Sequence, residues 1–229
     1  HAGIINKAKV NLTFIDAAKI NKSNVKKNLS FADAVLVPGG FGERGIEGMI
    51  VACKFARESN IPYFGICLGM QIAVIEFARN ILGFKNANST EFNPKTKFPV
   101  IGLVTEWKDK SGNTEYRDDS SDLGGTMRLG GQTCILRKSS LSHKLYKDNK
   151  IIERHRHRYE FNPEYRKIFN SNGMLVSGTS EDGKLVEMIE IKNHPWFIGC
   201  QFHPEFTSNP RDGHPLFNNF VSKALKLKK

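Results

Sequence analysis

Two short apolar runs set the rhythm of the first third of the chain. Ala34-Val35-Leu36-Val37 stops at Pro38-Gly39-Gly40, and a second run from Ile61 to Ile66 stops at Cys67. Runs this short, bounded by turn formers, read as buried strands. Pro62 falls near the start of the second, where a missing N–H is tolerated. Between them Ile46, Met49, Ile50, Cys53 and Ala56 recur three and four apart, which predicts an amphipathic helix over 44–57. Met70, Ile72, Ala73, Ile75, Phe77 and Ala78 do the same over 68–80. Strand, helix, strand, helix requires crossover connections, hence an α/β domain with parallel strands.

The texture then changes. Residues 85–98 are polar and connect to a strand over 100–104. Residues 107–122 are charged and rich in Gly, Ser and Asp, a long loop or flexible hairpin. A strand is expected over 133–136. The apolar stretches 175–178 and 185–191 flank Glu181-Asp182-Gly183-Lys184, whose Asp-Gly pair signals a hairpin turn. A last buried strand over 197–202 precedes a helix over 215–227 with a basic tail.

Composition narrows the class. The chain has 229 residues, 39% of them apolar and 25% charged, an ordinary globular mix. No apolar run approaches the ~18–20 residues of a membrane span, and the first residues lack the apolar core of a secretory leader. The net charge is +11, with Lys scattered along the chain as on a solvated surface. Nucleic-acid binding needs a clustered footprint and a recognition signature; neither RNA nor DNA is expected as a partner. The one basic cluster is Arg154-His155-Arg156-His157-Arg158. Strand alternation would put its arginines on one face and its histidines on the other. Such a strand can be a solvated edge, a carboxylate or phosphate binder, or an interface. Cys53, Cys67, Cys134 and Cys200 form no C-x-x-C pair and no metal-ligand spacing. Free thiols and a cytoplasmic location follow as expectations.

The sharpest chemical feature is Gly65-Ile66-Cys67-Leu68-Gly69. A cysteine where a strand turns into a helix can be an exposed nucleophile, and the glycines make room for a crowded backbone. The helix N-terminus would lower the thiol pKa and offer N–H groups to an oxyanion. A base is needed. In extended chain His203 and Glu205 would share one face, with Phe202 and Phe206 turned into the core; Glu205 would orient His203. Gly39 and Gly40 could add backbone donors, although no P-loop lysine accompanies them.

These residues together carry a resemblance. Residues 37–42 (Val-Pro-Gly-Gly-Phe-Gly), 65–71 (Gly-Ile-Cys-Leu-Gly-Met-Gln) and 201–206 (Gln-Phe-His-Pro-Glu-Phe) resemble class I glutamine amidotransferases. Residues 88–92, 122–130 and 153–160, with 194–197 and 206–208, resemble the CTP synthase branch. The resemblance covers the chain as one domain over 1–229. It implies an open, mostly parallel, flavodoxin-like sheet with helices on both faces and an added antiparallel hairpin. It also implies that the family's first strand and most of its first helix would precede His1.

The resemblance further implies a glutaminase. Cys67 would be the nucleophile, His203 the base and then acid, and Glu205 its orienting carboxylate. Gly40 and Leu68 would supply the oxyanion hole. Gly40, Leu68, Gly69, Met70, Gln71, Glu91 and Arg158 would hold L-glutamine. A separate N-terminal synthase domain would aminate UTP with ATP and Mg2+, and GTP would activate at the domain interface. No cofactor or metal is expected in this domain. Residues 117–125 would be a lid, more acidic at Arg117-Asp118-Asp119-Ser120 than the resemblance leads one to expect. Two other readings stand beside it: a γ-glutamyl peptidase on the same fold, and a basic nucleic-acid-binding module.

Overall fold

The protein is described by a computed structural model covering residues 1–103, 106–108, 114–116 and 127–228. Short helices α1 (Ala2–Ile5) and α2 (Val25–Leu29) precede strand β1 (Val35–Val37). Then come α3 (Ile46–Glu58), β2 (Tyr63–Ile66) and α4 (Leu68–Asn80). The middle of the chain forms β3 (Asn88–Ser89), β4 (Pro99–Leu103), β5 (Glu106–Lys108), β6 (Thr114–Tyr116) and β7 (Arg128–Leu136). It continues through α5 (Leu141–Tyr146), β8 (Lys150–His157), β9 (Tyr159–Phe161) and α6 (Arg166–Ser171). The last third holds β10 (Met174–Ser180), β11 (Val186–Ile191), β12 (Phe197–Cys200) and α7 (Pro215–Leu227).

Seven strands make the main sheet, in the order β1-β2-β12-β11-β10-β7-β8. The pairs β1–β2 and β2–β12 are parallel. The antiparallel part runs on through β11, β10, β7 and β8. A small sheet joins β3, β4 and β9, and β5 pairs with β6 as a hairpin.

Alternation along the central strands splits the core in two. Tyr63 and Phe197 face α3 and α4, packing with Ile50, Ile72 and Ile75. Phe64, Ile66 and Ile198 face the other way, onto Trp196 and onto Leu216 and Phe220 of α7. Successive side chains of a strand point to opposite sides, so both faces demand a helical cover. Each such side chain contributes about 1.5–3 kcal/mol when fully buried. The expected α/β fold with helices on both faces is the observed one.

Helix α4 coincides with the expected 68–80, and α7 with 215–227. Helix α3 starts at Ile46 because Gly45, at φ 79°, caps it in a left-handed conformation. Strand β7 is longer than expected, since Gly130 and Gly131 stay in register with His155 and Arg154. On β8 the alternation of the basic cluster holds as far as the strand runs, with Arg154 and Arg156 exposed and His155 and His157 buried; Arg158 lies past the strand end and is half-buried. The lid expected over 117–125 lies outside the described residues.

Candidate active site

Val37 pairs with Gly65, and Ile66 with Cys200, so β1, β2 and β12 end side by side. Ligands of open α/β sheets bind at this carboxyl edge. Here β1 delivers Pro38-Gly39-Gly40, β2 delivers Cys67, and β12 delivers Gln201 and His203. The ladder runs as far as the cysteine itself, whose N–H donates to the Cys200 carbonyl at 2.7 Å.

The chain then turns at once into α4. Cys67 caps that helix at φ 51° and ψ −103°, a strained conformation for a residue with a side chain. Two neighbours must be glycine to permit it. A Cβ on Gly65 would sit 2.5 Å from the Gly69 carbonyl carbon, and one on Gly69 would overlap the Val37 carbonyl.

His203 is held from two sides. Its N–H donates to the Arg154 carbonyl at 2.8 Å, and its Nδ1 lies 2.6 Å from Glu205 Oε1. A carboxylate only accepts, so Nδ1 carries a proton, and the tautomer this selects has its lone pair on Nε2. That Nε2 is buried, with no hydrogen-bond partner among the described residues. His203 and Cys67 meet over Gly39: a Cβ there would lie 2.7 Å from His203 Cε1 and 3.6 Å from Cys67 Cβ. Only glycine leaves that space open.

Two expectations are corrected. The chain does not stay extended after His203; it winds into a tight 3-10 turn, Pro204–Phe206, which brings Glu205 round to the imidazole. Phe206 therefore does not enter the core. It is 52% exposed and stacks on His203, rings 5.1 Å apart, while Phe202 is fully buried. The thiol, too, is neither exposed nor acidified. Cys67 is 3% exposed, and burial pushes its pKa up to about 12. The Leu68 N–H and the Gln201 amide favour the thiolate, and the charges of Glu205 and Glu91 oppose it. Desolvation outweighs the partial charge of the helix N-terminus, so the resting sulfur is a thiol that needs a base.

The remaining expected residues gather to different degrees. Gly40 lies against Leu68, whose Cδ2 would be 3.1 Å from a Cβ there. Glu91 accepts from the Gly42 N–H at 3.0 Å, which brings it to the same glycine loop. Leu68 and Gly69 are buried at the start of α4. Met70 turns its side chain into the core, and its N–H donates to the Cys67 carbonyl at 3.1 Å. Gln71 donates through Nε2 to the Tyr159 carbonyl at 2.9 Å and to Gln201 Oε1 at 3.3 Å. Arg158 precedes Tyr159 in the chain, and no contact among the described residues ties its side chain to the others; its Nε is buried with no partner among them. The cysteines are free and buried. Sequence reasoning missed Gln201, although a lone amide closing the apolar run of β12 was a usable signal.

A cysteine on a strained strand-to-helix turn, a histidine–glutamate couple after the adjoining parallel strand, and glycines between them define an α/β protein with a cysteine–histidine–glutamate site. The family model of class-I glutamine amidotransferases matches residues 3–223, and the chain belongs to that family. Among solved structures it is similar to the glutaminase domain of Trypanosoma brucei CTP synthase with bound acivicin. The two are 35% identical with a TM-score of 0.87, over 98% of this chain and 84% of that one. A Thermoplasma acidophilum protein assigned to GMP synthase shares the fold, at 13% identity and a TM-score of 0.56, over 98% of this chain and 84% of that one.

Proposed function

We propose that this domain hydrolyses L-glutamine to glutamate and ammonia, as the glutaminase part of a CTP synthase. One observation carries the reading: His203, oriented by Glu205 at 2.6 Å, sets its ring beside Gly39 and Cys67 and keeps a buried Nε2 with no hydrogen-bond partner among the described residues. In the reaction Nε2 takes the thiol proton and Cys67 attacks the side-chain amide carbon. The Gly40 and Leu68 N–H groups stabilise the oxyanion, each by about 3–4 kcal/mol. His203 protonates the departing ammonia, leaving a γ-glutamyl thioester. Water, deprotonated by the same nitrogen, releases glutamate and restores the thiol.

Glu91 and Arg158 suit a zwitterion, a carboxylate for the ammonium and a guanidinium for the carboxylate. Amination of UTP with ATP and Mg2+ would belong to a synthase domain, with GTP acting at its junction with this one, in the cytoplasm. Support for that finer reading is the likeness to the trypanosomal domain.

The test is direct. The protein should release glutamate from glutamine, and acivicin should label Cys67. Cys67→Ala should lose both. Labelling that persists elsewhere, or faster turnover of γ-glutamyl peptides than of glutamine, would defeat the assignment.

A further inference from the structure

We infer that Gln201 is a catalytic residue of this site: its amide N–H donates to the Cys67 sulfur and steadies the thiolate when it forms and when it leaves. The inference rests on the glutaminase reading. Gln201 follows β12 directly and is fully buried, with Nε2 3.6 Å from Cys67 Sγ. An uncompensated amide in such a place is costly, so its polar atoms must be used.

The surrounding hydrogen bonds decide which end of that amide meets the sulfur. The Tyr159 carbonyl can only accept, so the NH2 of Gln71 must face it, at 2.9 Å. The same NH2 group reaches Gln201 Oε1 at 3.3 Å. The oxygen of Gln201 is thereby taken, and its NH2 is left for Cys67. Gln201 N–H is itself fixed, donating to the Glu187 carbonyl at 2.8 Å. The donor is held before the reaction begins.

The reaction gives this donor a task that no other group among the described residues is placed to fill throughout. Before substrate reacts, the Leu68 N–H favours the thiolate form of Cys67. Once the oxyanion develops, that N–H turns to the substrate oxygen and cannot serve the sulfur as well. When the thioester breaks down, the departing sulfur regains its negative charge. Gln201 is the side-chain donor already aimed at it, and the Gln201 hydrogen bond does favour the charged form of Cys67.

The experiment is the rate of Cys67 alkylation by iodoacetamide at one fixed, mildly alkaline pH, read by peptide mass spectrometry on the whole chain; below the thiol pKa this rate follows the thiolate fraction. Cys53, Cys134 and Cys200, each 0% exposed, serve as internal references. Glu91, His203, Glu205 and Cys200 also face the sulfur and stay constant throughout. Gln201→Leu should lower the alkylation rate about tenfold, the scale of one hydrogen bond to an ion. It should lower kcat for glutamine at least about tenfold, with KM within about twofold. Gln201→Glu keeps the acceptor that Gln71 needs and replaces the donor by an anion, so its rate should fall further. An unchanged rate in Gln201→Leu overturns the inference, even if the added charge of Gln201→Glu slows its own. If Gln201→Leu does not fold, Gln71→Met, which releases the amide to rotate, must lower the rate; no change there overturns it as well. A wild-type chain inert toward glutamine would defeat the glutaminase reading and leave the alkylation comparison intact.

Discussion

His203 and His214 each hold a glutamate, at 2.6 and 2.8 Å, yet the two couples do opposite things. At His214 every polar atom of the ring is assigned. Its Nδ1 accepts the Leu216 N–H at 3.2 Å, capping α7, so the proton sits on Nε2 and points at Glu153. Glu153 also accepts from Tyr146 at 2.8 Å and Thr207 at 3.0 Å. At His203 the roles of the nitrogens are exchanged and Nε2 is left idle. The carboxylates differ as well: Glu205 is 42% exposed and Glu153 5%. A histidine–carboxylate couple is free to carry a proton only where the second nitrogen is withheld from the structure, as the proposed function requires of His203. The structural couple serves the other, because Thr207 closes the turn that presents Glu205.

The widest separation should come from removing each ring. His203→Ala should cut glutamine turnover by about 10⁴-fold, the usual cost of losing such a base, with little loss of stability. His214→Ala should instead destabilise by about 2–4 kcal/mol, from a lost helix cap and a buried glutamate deprived of a partner. Its kcat, measured on the folded fraction, should stay within about threefold. Urea unfolding and steady-state kinetics on both proteins check the pair. A His214→Ala protein that is stable but inactive would break the distinction.

That distinction was only half legible in the sequence. His203 and Glu205 are two residues apart, and Cys67 sits between glycines, so local reasoning could assemble them. The strand–helix periodicity that ends at Asn80 was local too, which is why α4 was found to the residue. His214 and Glu153 are 61 residues apart, and Gln71 and Gln201 are 130 apart. No spacing rule connects such partners; the sheet order does. Burial of the Cys67 sulfur was equally hidden, because strand-to-helix turns expose or enclose their first residue according to what packs above them. Phe206 escaped the core because Pro204 starts a turn that an alternating pattern does not anticipate.

A gentler change sharpens the comparison at the carboxylate. Glu205→Gln should lower kcat by about 10²-fold and leave KM nearly unchanged, since the ring loses its tautomer control but keeps its place. The exposure of Glu205 moderates the loss, because water can take over part of its role. Glu153→Gln can keep Oε1 for His214 and Tyr146 and turns an NH2 toward Thr207, whose hydroxyl must then accept, so its effect should fall on stability and stay near 1 kcal/mol. Stopped assays of ammonia release across the pair measure the difference.

The last effect, one of slope and not of level, concerns a third couple that is not closed. His155 Nε2 lies 3.6 Å from Glu187 Oε2, and both atoms lack a hydrogen bond among the described residues. Arg128 bridges Glu187 at 2.7 Å and Glu160 at 2.9 Å. Burial, with Arg128 and His203 nearby, lowers the His155 pKa to about 3. Burial raises Glu160 to about 8 against the attraction of Arg128. Each shift has its own sign. The folded chain refuses the His155 proton that the unfolded chain takes below about 6.5, so stability falls as pH drops from there toward 3. The folded chain keeps the Glu160 proton that the unfolded chain loses above about 4.5, so stability falls as pH rises toward 8. Between about 4.5 and 6.5 the two slopes oppose; above 6.5 only that of Glu160 remains. Glu160→Gln should therefore flatten the fall in Tm from about pH 6.5 to 8, a slope worth up to about 2 kcal/mol and roughly 4–8 °C. Thermal scans of wild type and variant at half-unit intervals test this. Parallel curves would mean that Glu160 is ionised in the fold, and that Arg128 holds both carboxylates charged beside the unclosed pair.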